Sequence, residues 1–104
     1  MAKINFETID LILSDVPDHK RFICADSKVL SNLDELAIAL NSMTKKTFNN
    51  HVTLQKNDFS NWIYDVIGDI KLAENLREVK DPKTASKKIK TRIAYIKKNI
   101  EKSS

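Results

Sequence analysis

A single glycine, Gly68, in a chain of 104 residues is the feature that most restricts its fold. β-Sandwiches, barrels and glycine-rich phosphate loops need many turn residues, and this chain has one glycine and two prolines, Pro17 and Pro82. Helices need few. The length suits one domain, 1–104, with a modest core. No apolar run approaches the roughly 20 residues that span a bilayer, and the N-terminus lacks the apolar stretch of a secretory signal. Cys24 is the lone cysteine, so an intrachain disulfide is ruled out, which fits a cytoplasmic location. The expected fold is mainly α: a compact bundle of about six helices, mostly short, with one two-stranded hairpin near residues 21–30.

Hydrophobic spacing locates these elements. Phe6, Ile9, Ile12 or Leu13, and Val16 recur at helical intervals until Pro17 stops them. Arg21–Cys24 and Lys28–Leu30 carry β-branched and aromatic residues around Ala25-Asp26-Ser27, the pattern of a hairpin. Ser31-Asn32-Leu33-Asp34 resembles a capping box with Ser31 as cap, opening a helix that buries Leu33, Leu36, Ala37, Leu40 and Met43. Thr44 starts a short helix with Phe48, His51 and Val52. Asn57 then caps the most strongly patterned segment, in which Phe59, Trp62, Ile63, Val66 and Ile67 share an arc of about 140°. Gly68 stands where a helix ends, and Asp69 caps the next helix, with Leu72, Ala73 and Leu76 inward. Asp81-Pro82 opens the last helix, about 82–102. Its Ala85, Ile89, Ile93, Ile96 and Ile100 fall within an arc of about 80°, a stripe that packs either on the domain or on a second copy.

The run Lys56-Asn57-Asp58-Phe59…Asn61-Trp62-Ile63…Asp65-Val66…Gly68-Asp69 is too long and mixed to arise from helical patterning alone. With Phe22…Ala25-Asp26…Val29-Leu30 before it and Leu72-Ala73 after it, the stretch 22–76 resembles a family of small uncharacterised prokaryotic domains. The resemblance implies a domain boundary and no assigned activity. It leaves the first and last helices outside its secure part.

Charge is distributed unevenly. The net charge is +4, yet residues 82–104 carry +7 and residues 1–81 carry −3. Lys87, Lys88, Lys90, Arg92, Lys97 and Lys98 form the candidate basic face of the last helix. With one arginine and one asparagine there, base-specific reading of DNA is not expected, and contacts would go to phosphates. A second candidate is the strip of Asp58, Asn61 and Asp65 beside Trp62, although Trp62 also completes the apolar arc and belongs in a core. His51 lacks a recognisable nucleophile and orienting carboxylate, and is expected buried and bonded to a loop or to Asp58. His19 has no metal-ligand spacing around it, so no metal and no cofactor are expected. Cys24 reads as a small buried hydrophobe. No small-molecule substrate and no catalysis are expected. The resulting expectation is a non-enzymatic interaction or structural module, binding an acidic protein partner or itself. The alternative is a non-specific nucleic-acid-binding protein.

Overall fold

The computed structural model describes residues 12–103, with side chains described to residue 99. The helix expected at Phe6–Val16 lies mostly outside the described residues, though Ile12 is buried and Leu13 and Val16 pack against the core. A 3-10 turn at Asp18–Lys20 leads into the hairpin, β1 (Phe22–Ile23) and β2 (Val29–Leu30). Five helices follow among the described residues: α1 (Leu33–Ser42), α2 (Lys45–His51), α3 (Asp58–Trp62), α4 (Ile70–Leu76) and α5 (Pro82–Ser103). The count of six expected for the whole chain thus stands at five among these residues, the remaining one being the helix expected at Phe6–Val16.

The antiparallel hairpin pairs Phe22 with Leu30 and Ile23 with Val29. Its three-residue loop closes through Ser27 N–H on the Cys24 carbonyl, 2.9 Å, and Cys24 N–H on the Lys28 carbonyl, 2.8 Å. Ser27 adopts φ 74°, the left-handed value that such a loop requires at its last position. Alternation turns Phe22 and Leu30 inward and leaves Ile23 and Val29 exposed.

Caps set the helix boundaries. Thr44, Asn57 and Asp69 each accept from a backbone N–H three residues on, as their positions predicted. The cap of α1 is Asn32 rather than Ser31: the Asn32 amide oxygen accepts from Glu35 N–H, and the Glu35 carboxylate accepts from Ser31 N–H. The longer Glu35 side chain reaches back across the turn where Asp34 cannot. After Trp62 the helix widens into a π turn, Ile63–Ile67, closed by Gly68 N–H on the Ile63 carbonyl at 2.7 Å. Gly68 ends it at φ 88°.

α1 lies along α5 in the most extensive helix contact among the described residues. Leu33, Leu36, Ala37 and Leu40 face Ala85, Ile89, Ile93 and Ile96, all buried. The isoleucine stripe is thus covered by its own chain as far as it is described. Ser86 belongs to the same face and donates to the Ala37 carbonyl at 2.6 Å, so the small residue lets the two backbones approach while its hydroxyl stays bonded. A second centre gathers Phe22, Phe48, His51, Phe59 and Trp62, with Phe22 stacked on Phe59 at 5.1 Å and Phe48 on Phe59 at 5.7 Å. No helix among the described residues is long and apolar enough to cross a membrane.

Candidate functional site

The strip read from sequence does not form one surface. Trp62 is 8% exposed, and its indole N–H donates to the Lys20 carbonyl at 2.8 Å. Asp58 sits at the start of α3 between Lys56 Nζ, 3.1 Å, and His51 Nδ1, 3.0 Å. Asn61 and Asp65 are exposed, and the π turn moves Asp65 off the line that α-helical spacing gives.

His51 is held on both sides. Its Nε2 accepts from Ala25 N–H at 2.9 Å, which places the ring proton on Nδ1, facing Asp58. Loop and carboxylate therefore hold it together, where the sequence offered one or the other. The ring ties the hairpin loop to α3 and lies against Phe22 and Phe59. Cys24 is buried, and desolvation, with a smaller contribution from Asp26, pushes its thiol up to about 11. A thiol so placed is a poor nucleophile near neutrality. Among the described residues no group of three or more His, Cys, Asp or Glu side chains is placed to hold a metal ion.

The cations of α5 divide into two kinds. Lys87, Lys88, Lys90, Lys97 and Lys98 are exposed and, among the described residues, form no ion pair or hydrogen bond. Arg92 stands apart from them. Its guanidinium donates from Nε to Asp69 Oδ2 at 2.8 Å and from Nη2 to Asp69 Oδ1 at 3.0 Å. Both side chains are largely buried, 15% and 2% exposed. Asp69 also receives Leu72 N–H, so one carboxylate caps α4 and ties it to α5. The guanidinium lies 5.5 Å from the Tyr95 ring centre.

Beside this link runs an open groove of about 640 Å³ between α4 and α5. Lys71 and Asn75 come from α4; Thr84, Lys87, Lys88 and Thr91 come from α5, with Arg92 and Tyr95 at one end. The lining holds no carboxylate. Lys90 and Lys97 lie on the far side of the helix, since Lys97 is about 160° around from Tyr95 at 100° per residue. Structure thus brings Lys87 and Lys88 together with Lys71 and Tyr95, neither of which sequence reasoning singled out. Tyr95 had a signal: an aromatic residue opposite an otherwise complete isoleucine stripe.

Comparison with known proteins leaves the argument on this geometry: no family model, no curated protein and no solved structure matches the chain.

Proposed function

We propose that this domain is a non-enzymatic binding module that engages an acidic partner protein through the lysine-bearing side of α5. One observation carries the reading: five lysines on one helix are exposed and without a partner among the described residues, while the opposite side of that helix is buried against α1. Concentrated uncompensated charge attracts an oppositely charged surface and speeds encounter with it. Self-association through the isoleucine stripe is not part of the proposal, because Ile89, Ile93 and Ile96 are covered within the chain. We further take the likeness of residues 22–76 to the small prokaryotic family, and a cytoplasmic location, as parts of the same proposal.

Non-specific nucleic-acid binding is the second reading, favoured by the same lysines. Against it stands Arg92, whose guanidinium is committed to Asp69 and so unavailable to phosphates or base edges. Titrating labelled duplex DNA and labelled polyglutamate into the protein separates the two. The expected result is polyglutamate binding, with at most a weak DNA shift at about 50 mM salt that disappears by about 200 mM. Tight DNA binding with a steep salt slope, and no affinity for polyglutamate, overturns the proposal in favour of nucleic acid.

A further inference from the structure

We propose that the groove between α4 and α5 is the docking site for an extended acidic peptide segment of the partner, with an apolar side chain seated beside Tyr95 and carboxylates facing Lys71, Lys87 and Lys88. This rests on the acidic-partner reading above and goes further by naming where, and in what form, the partner binds.

Charge complementarity is the first argument. Three lysines line the groove, no carboxylate does, and among the described residues none of the three forms an ion pair. Asn75 and Thr91 add polar groups able to bond a peptide backbone. At the Thr84 end the groove meets a second hollow of mixed charge, lined by Glu74 and Glu78 together with Arg77 and Lys80, whereas the charged residues of the groove itself are all cations.

Rigidity is the second argument. The Asp69–Arg92 pair fixes α4 against α5 at the Tyr95 end, and Arg92 lies 5.5 Å from the centre of the half-exposed Tyr95 ring. A ring resting against a guanidinium that is itself tied down, beside lysine stems, offers an apolar seat at a lower ordering cost on binding.

Dimensions favour an extended peptide. Thr84 to Tyr95 spans about 16 Å at 1.5 Å per helical residue, room for about five residues of extended chain. Single-stranded nucleic acid would want successive stacking rings, and Tyr95 is the one aromatic residue lining the groove.

The test uses the full chain and a labelled peptide of glutamates flanking one phenylalanine, read by fluorescence anisotropy at low salt, with oligo-dT as the competing probe. Lys88→Glu, in the groove, and Lys97→Glu, outside it, make the same change of charge on the same helix. Thr91→Trp fills the groove without changing charge, at an exposed helical position. Lys88→Glu and Thr91→Trp are each expected to weaken peptide binding by about tenfold or more, and Lys97→Glu by no more than about twofold. Circular dichroism confirms folding, and Lys71→Glu on α4 replaces Thr91→Trp if that variant does not fold. If Lys97→Glu weakens binding as much as Lys88→Glu, and Thr91→Trp or its replacement binds as the parent does, the groove is not the site, while the acidic-partner reading stands. If the peptide does not bind at all, both fail, and binding of oligo-dT then points to nucleic acid.

Discussion

The run from Asn57 to Asp69 and the lysine-bearing side of α5 are both dense in polar residues, yet they use them in opposite ways. In the first, Asn57 accepts from Ser60 N–H and donates to the Leu76 carbonyl, and Asp58 holds His51 and Lys56. Ser60 donates to the Ala73 carbonyl, and Asp69 receives Arg92. The Asn61, Tyr64 and Asp65 side chains stay exposed there, with no hydrogen bond or ion pair among the described residues. Along α5 the proportion reverses: Arg92 is paired, and five lysines have no partner among the described residues. Polar groups bonded inside a molecule fix its shape; polar groups left in water cost the fold little and stay available to a ligand. The most distinctive stretch of this sequence is therefore largely architecture, and the plainer lysine helix is the proposed binding surface.

Substitutions sharpen that contrast. Trp62→Ala empties a buried aromatic site and strands the Lys20 carbonyl, with an expected loss of about 3–5 kcal/mol in chemical denaturation. An unchanged melt would mean that Trp62 is not core. Asp69→Ala leaves Arg92 largely buried without its counter-ion, and a loss of similar size, about 3–5 kcal/mol, is expected. Asn57→Ala removes a cap and the bond to Leu76, for a loss of about 1–2 kcal/mol.

Asp81 gives a pH-dependent test on α5 itself. Hydrogen bonds from the Thr84 N–H and hydroxyl hold its carboxyl below the ordinary value of 3.8. A carboxyl lowered in the folded state stabilises the fold above its unfolded value and loses that contribution as pH falls through the lowered one. Asp81→Ala should therefore melt below the parent at neutral pH, and the gap should close in strong acid. A gap that persists in acid would assign the effect to something other than the charged cap. Smallest of all, replacing Lys87, Lys88, Lys90, Lys97 and Lys98 with Gln should shift stability by no more than about 0.5 kcal/mol per site. A larger loss would show that these lysines help to hold the fold after all.

How far the sequence disclosed all this depends on the range of each interaction. Caps, the Gly68 terminus, the burial of Trp62 and the inward isoleucines follow from local spacing, and the structure repeats them. Asn32 displaced Ser31 as cap because the Glu35 side chain reaches farther than that of Asp34, a difference of one methylene. The π turn left no trace in the pattern, since Phe59 to Ile67 fit ordinary helical spacing well. Arg92 looked like one more surface cation because its partner lies 23 residues away. The groove needs Lys71 from one helix and Tyr95 from another, a juxtaposition no periodicity in either helix contains.

The contrast between the two regions is tested most directly by nuclear magnetic resonance on the ¹⁵N-labelled chain, titrated with the glutamate–phenylalanine peptide. Amide shifts are expected to concentrate at Lys71, Asn75, Lys88, Thr91 and Tyr95, with the amides of residues 57–67 unmoved. Shifts centred on Asn61, Tyr64 and Asp65, with the groove silent, would contradict it and make the distinctive run the binding surface.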